Sequence, residues 1–190
     1  MDSSELRANL EKYHSESYGW ALSCCAHNHA EAEGVLQTVY LKVLEGKARF
    51  DGRAAFRTWL FAVIRRTALD ERRRHWLRGF GLLKYVEHGA RAASVASPDD
   101  AVYQAEMQTL LRRVLADLPK RQREVLQLVF YHDLSLAEAA EVMSVSLGSA
   151  RTHYERGKKQ LRQWLKKEQV SDEARRRADQ RVVSTTETGR

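Results

Sequence analysis

SLAEAAEVMSVSLGSARTHYERGKKQL, Ser135 to Leu161, is the stretch whose reading decides the fold. Ser135 is placed to cap a short helix in which Leu136, Ala139, Ala140 and Met143 recur at helical spacing and point inward. Ser144-Val145-Ser146 reads as a three-residue turn whose central valine plugs the core. A second helix, about Leu147 to Lys167, buries Leu147, Ala150, Tyr154, Leu161, Trp164 and Leu165. Two helices joined by so short a turn make a helix-turn-helix, which sends the N-terminal end of its second helix into the DNA major groove. The outward residues at that end are Ser149, Arg151, Thr152, His153, Arg156, Lys158 and Lys159. Arginine can grip guanine edges with two hydrogen bonds, whereas hydroxyls and lysine mainly hold phosphates. An ordinary helical hairpin with a solvated basic face shares this spacing. The small pair Ala139-Ala140 at the crossing, the valine plug and the basic N-terminal half together favour DNA binding over that bland reading.

Working outward, Pro119 stands where a new helix opens, the placement its fixed φ suits, and Val125, Leu126, Leu128 and Val129 follow it. A helical pattern from Ala101 turns Met107, Leu110, Leu111, Val114 and Leu115 inward. From roughly Trp76 to Asp100 the periodicity fails, and Gly79, Gly81, Gly89 and a small-residue run closed by Pro98 read as a linker. Trp76, Leu77, Phe80, Leu82, Leu83, Tyr85 and Val86 are too apolar to be left in water, so part of that linker docks on something. Nearer the N-terminus, Leu6, Leu10, Tyr13, Ser17, Ala21 and Cys24 form one helical stripe, followed by a polar turn at His27 to His29. A second helix turns Ala32, Val35, Leu36, Val39 and Val43 inward; Gly46 to Gly52 breaks the pattern; a third places Phe56, Leu60, Val63, Ile64 and Thr67 on one face. The expected architecture is all-α: one helical module over 1–75, a linker over 76–100, a helix-turn-helix module over 101–168, and a polar, disordered tail over 169–190.

Lys and Arg number 32 against 25 Asp and Glu in 190 residues, a net charge of +7 that points to a polyanionic partner. No run of eighteen apolar residues is present, and Met1 to Leu10 lacks the apolar core of a secretion signal. Two adjacent cysteines, Cys24 and Cys25, make no disulfide framework. The expectation is a cytoplasmic protein without membrane insertion. The sequence carries no phosphate loop, no nucleophile–base–acid set and no paired carboxylates in a cleft, so neither an enzyme nor a cofactor is expected.

FRTWLFAVIRRTALDERRR, Phe56 to Arg74, joins an aromatic-apolar face to Arg57, Arg65, Arg66, Arg72, Arg73 and Arg74, offset in part by Asp70 and Glu71. Arginines with interleaved aromatics suit phosphate binding and stacking on exposed bases. A solvated basic face with Trp59 in the core fits the spacing equally well. Cys24, Cys25, His27 and His29 lie within six residues and include the soft and borderline ligands that zinc or copper prefers. Adjacent thiols on a helix diverge, however, and a free cysteine on an apolar stripe is ordinarily a small core residue. The expectation is therefore no metal, with a metal- or redox-responsive interaction protein as a rival reading.

Together these segments resemble the extracytoplasmic-function branch of the sigma-70 family, the small promoter-recognition subunits of bacterial RNA polymerase. Three motifs in order carry the resemblance, from about Tyr13 to Leu165 apart from the linker: EAEGVLQTVYLKV at Glu31 to Val43, FRTWLFAVIRRTALDERRR, and DLPKRQREVLQLVFYHDLSLAEAAEVMSVSLGSARTHYERGKKQL from Asp117 to Leu161. The resemblance implies core-polymerase contact around Glu33, Val35, Leu36 and Gln37. It implies −10 element binding and melting by Arg57, Trp59, Arg65, Arg66, Arg73 and Arg74. For the −35 element it implies reading by Ser149, Arg151, Thr152, His153, Arg156 and Lys158. It also implies a linker threaded into the polymerase cleft and an anti-sigma factor as partner. Gly34 and Thr38 stand where the family usually has Asp and Glu, and Arg66 where Asn commonly helps hold a flipped base. Ser149 and His153 replace a usual Thr and Arg, so neither promoter element can be borrowed from relatives. A conventional helix-turn-helix regulator with an N-terminal sensing half remains the other rival; it would bind duplex DNA without polymerase.

Overall fold

The computed structural model describes residues 2–79, 115 and 117–186, with side chains in the last helix to residue 166. The expected linker beyond Gly79 and the helix expected over residues 101–114 lie outside the described residues. Those described form seven helices: α1 Ser3–Lys12, α2 His14–Cys24, α3 His29–Leu44, α4 Phe56–Gly79, α5 Lys120–Phe130, α6 Leu136–Met143 and α7 Leu147–Thr186. Among them there is no strand, and the fold is all-α as the helical spacing predicts.

The N-terminal stripe expected as one helix is two. Asp2 caps α1 by accepting from the Glu5 amide at 2.7 Å, and Tyr13 leaves helical geometry between α1 and α2. The bend brings the Tyr13 ring against Phe56 at the start of α4, with centroids 6.1 Å apart. Ala26 and His27 adopt left-handed backbone after α2, and Asn28 then caps α3 through the Glu31 amide at 3.2 Å. Gly46 and Gly52, both at positive φ, carry the chain through the expected break between α3 and α4. Helix α4 outruns its expected end and passes through Trp76 and Leu77, both exposed.

Helices α2, α3 and α4 surround Trp20, Val39, Leu60, Phe61 and Ile64, all without solvent exposure. The Trp20 indole N–H donates to the Phe61 carbonyl at 3.0 Å, so the largest core side chain is both buried and satisfied. Val125, Leu128, Ala139, Val142 and Met143 of the C-terminal helices, with Leu134 from the connection between α5 and α6, belong to the same continuous apolar cluster. The two sets of helices are thus packed together, chiefly α6 on α4.

The helix-turn-helix forms as its residues dictate. Ser135 and Glu138 make a reciprocal capping box at the start of α6, with Glu138 N–H to Ser135 Oγ at 3.3 Å and Ser135 N–H to Glu138 Oε2 at 2.9 Å. Ser144 closes α6 in left-handed geometry, φ 53°, and Val145 packs half-buried against the core. Ser146 then accepts from the Ser149 amide at 3.1 Å to open α7. Buried Gly157 lets α7 approach α5 closely: a Cβ there would lie 2.9 Å from Leu126 Cδ1. Leu147 and Leu165, expected inside, are exposed, because Ala150 and Gly157 set the buried line of α7 and those leucines fall to its flanks. Helical backbone continues to Thr186, where disorder is expected from Gln169 onward. No proline or glycine interrupts residues 158–186, and Glu, Arg, Ala and Gln there have high helix propensity.

Candidate nucleic-acid interface

On α7 the expected face is presented. Ser149, Arg151, Thr152 and Arg156 are exposed, and His153 and Lys158 are half-buried. The Thr152 hydroxyl donates to the Gly148 carbonyl at 2.9 Å, a bond within its own helix that restricts the side-chain rotamer. Lys158 lies over the Tyr154 ring at 4.8 Å and 3.5 Å from Glu155, so its ammonium is restrained where Arg151 is not. Tyr154 in turn stacks on Phe130 of α5, with centroids 5.8 Å apart. The side of α7 behind the candidate readers is therefore buttressed by α5 and α6, and the front is open.

Helix α4 is different: its candidates divide among four environments. Arg66, Arg73 and Arg74 are exposed, with Arg74 2.8 Å from Glu71. Arg57 is half-buried and paired with Glu16 of α2 at 3.1 Å. Trp59 sits half-buried in an aromatic cluster with Phe50 and Phe56, ring centroids 5.4 and 5.3 Å away. Arg65 is buried, its guanidinium 3.2 Å from Glu124 of α5. Two turns nearer the N-terminus on the same face, buried Thr58 donates to Glu138 of α6 at 3.3 Å. The Glu138 carboxyl is held below its usual pKa, first by the Ser135 hydroxyl and then by the Ser135 amide, with Thr58 and Arg57 adding to the same effect.

The seam between α4 and the C-terminal helices includes one further group that the sequence did not single out. His132, buried in the turn after α5, meets Phe61 edge-on at 4.9 Å and Trp20 at 5.8 Å. Burial, with the Arg57 charge adding to it, pulls its pKa down to about 4, so the ring is neutral at pH 7. A lone polar residue after an apolar helix carries no sequence signal for such a position.

On α3 the expected polymerase contacts divide by face. Glu33 and Gln37 are exposed, but Val35 and Leu36 are only 3% and 4% exposed and belong to the core. This corrects the assignment of Val35 and Leu36 as surface contacts: they lie on the buried stripe with Ala32, Val39 and Val43. The outer face instead carries Leu41 at 58% and Leu44 at 47% exposure. Gly34, Gln37, Leu41 and Leu44 follow the i, i+3, i+7, i+10 spacing of one helix face, a signal that the sequence itself carries.

Cys25 is buried and Cys24 half-buried against the core, both as free thiols. Burial, chiefly, raises the Cys25 pKa to about 11 and pushes Cys24 higher still, so neither is a ready thiolate ligand at pH 7. The His29 ring is joined to the Tyr18 hydroxyl at 2.8 Å. Among the described residues no group of three or more His, Cys, Asp or Glu side chains is placed to hold a metal ion. Among them, too, no helix is long and apolar enough to cross a membrane.

Residues 10–78 match the model for sigma-70 region 2, and residues 108–161 the model for sigma-70 region 4. An ECF RNA polymerase sigma factor of Bacillus subtilis, SigX, is 30% identical over 184 residues, covering 93% of this chain and 94% of its own length. The SigW factor of the same organism is 26% identical over 145 residues, 73% of this chain and 78% of its own. Among solved structures, the sigma factor RpoE of Bartonella quintana, in complex with the anti-sigma factor NepR, aligns with a TM-score of 0.60 at 20% identity. That alignment covers 85% of this chain and 97% of RpoE. CnrH, in complex with the cytosolic domain of CnrY, aligns with a TM-score of 0.61 at 18% identity, over 87% and 90% of the two chains.

Proposed function

This chain belongs to the sigma-70 family, in its extracytoplasmic-function branch of promoter-recognition subunits, and from that premise we propose which surfaces do the work. Region 2-like residues 1–75 meet core polymerase and the −10 element, residues 76–100 link the modules, and region 4-like residues 101–168 read the −35 element. The polymerase contact is the outer face of α3, with Glu33, Gln37, Leu41 and Leu44, resting on the buried Val35 and Leu36. Arg151 is the base-reading arginine of α7, and Ser149, Thr152, His153, Arg156 and Lys158 position it on the duplex. Arg57, Trp59, Arg65, Arg66, Arg73 and Arg74 serve the −10 element, Trp59 from within its aromatic cluster. The chain acts by binding, without catalysis and without a cofactor, in the cell interior where polymerase works. An anti-sigma factor is its regulatory partner, as the named complexes of its structural relatives suggest.

The observation that carries this reading is the open N-terminal half of α7, a basic, hydroxyl-rich surface buttressed from behind. The test is run-off transcription with purified core polymerase on a promoter library. Sequence-selective initiation that depends on this chain is expected. Duplex binding without any initiation would sink the proposal and leave a conventional regulator.

A further inference from the structure

The seam between α4 and the C-terminal helices places carboxylates where α4 would otherwise meet DNA. Glu124 lies 3.2 Å from Arg65, and Glu138 accepts from Thr58 at 3.3 Å. Both acceptors come from the C-terminal module, and both donors come from the helix proposed to hold the −10 element. A carboxylate is a fair substitute for a phosphate oxygen as partner to a guanidinium. We propose that the free chain is self-closed, with Glu124 acting as an internal competitor for DNA on Arg65. This rests on the reading of α4 as a DNA-binding helix.

The charges at the seam are arranged for reversal rather than permanence. Glu124 has two further cations on its own helix, Arg121 Nη1 at 3.7 Å and Lys120 Nζ at 3.8 Å. When the modules part, Glu124 keeps both. Arg65, for which Glu124 is the paired carboxylate among the described residues, loses its counter-charge and needs another anion. The closed seam is also imperfect: Arg65 Nε and His132 Nε2 are buried without a hydrogen-bond partner. Opening rehydrates both groups. A buried ion pair contributes little net stability, because desolvation offsets most of its attraction, while loss of one partner strands the other charge. What favours closure is the apolar contact of Trp20, Phe61, Ala139, Val142 and Met143. Those apolar residues hold the modules together, and the ion pair sets which surface is covered.

The experiment uses the full chain without polymerase and reads two quantities. Small-angle X-ray scattering gives the radius of gyration, and a fluorescein-labelled pool of random single-stranded oligonucleotides gives DNA affinity. Glu124→Gln should expand the chain while retaining its helical circular dichroism. It should also raise oligonucleotide affinity about tenfold, the gain expected if about a tenth of the wild-type chains are open. The paired substitution Arg65→Met with Glu124→Met makes the seam apolar and should stay compact, with affinity no higher than wild type. A folded Glu124→Gln chain of unchanged radius would overturn the latch. Expansion without a gain in affinity would support the latch and refute instead the assignment of Arg65 to DNA. If Glu124→Gln loses helix, the methionine pair decides: a compact chain supports an optional ion pair at a standing seam, and an expanded one overturns it.

Discussion

The N-terminal helix α4 and the C-terminal helix α7 carry similar mixtures of apolar and basic residues, yet they present them in opposite ways, and the less basic α3 sides with α4. On α7 the buried line is made of small residues, Ala150 and Gly157, and the candidate readers stand clear of it. On α3 and α4 several candidates are covered: Val35 and Leu36 by their own module, Arg65 by the other. A helix docked along one face leaves its polar face open. A helix docked along two faces must bury some of its polar groups, and those then need partners. Basic content alone therefore does not tell which arginines are available.

The sharpest way to break this contrast is at α3. Leu36→Asp should bury an unpaired charge in the core and cost more than about 4 kcal/mol, unfolding the chain in a urea titration. Leu41→Asp, on the exposed face, should leave the urea midpoint nearly unchanged and weaken co-purification with core polymerase. Equal loss of stability in both would show that α3 has no free face.

On α7, Arg151→Ala should weaken binding to a −35 duplex by about 1–3 kcal/mol and relax preference at one position. Lys158→Ala should weaken binding evenly across sequences and lower the salt slope by about one. Matching behaviour of the two variants in a salt-dependent binding series would reduce Arg151 to a phosphate contact.

At the seam itself, His132 makes stability depend on pH. Burial pulls its pKa from an ordinary 6.5 to about 4 in the compact chain, with Arg57 adding to the fall and Asp133 opposing it. Between those values the unfolded chain binds a proton that the native chain refuses, so stability is full above pH 6.5 and falls as the pH drops towards 4. Going from pH 7 to pH 5 should cost at most about 2 kcal/mol. His132→Phe keeps a ring beside Trp20 and Phe61 and should remove that part of the dependence in urea titrations. A pH profile identical to wild type would place the titration elsewhere.

The smallest effect belongs to the close crossing behind α7. Gly157→Ala gains helix propensity but sets a methyl 2.9 Å from the almost fully buried Leu126. Overpacking should win by about 1 kcal/mol, read as a lowered thermal midpoint. A raised midpoint would mean that Leu126 has room to move.

Much of this was legible in one dimension. The spacing of Leu136, Ala139, Ala140 and Met143, the Ser135-Glu138 cap and the Ser144-Val145-Ser146 turn specify the helix-turn-helix, because helix period and capping are local properties of the chain. The positive-φ glycines at 46 and 52 mark the break between α3 and α4 for the same reason. Locally determined, too, was the family, through three motifs in order. Tertiary structure alone decided which side chains of those helices reach solvent. Arg65 and Arg66 are adjacent in sequence and indistinguishable by charge, and only the approach of Glu124, fifty-nine positions away, separates a buried ion pair from an exposed cation. His132 became a neutral ring between Trp20 and Phe61 by the same docking. Periodicity reports a helix's faces; what covers each face depends on contacts between residues far apart in the chain.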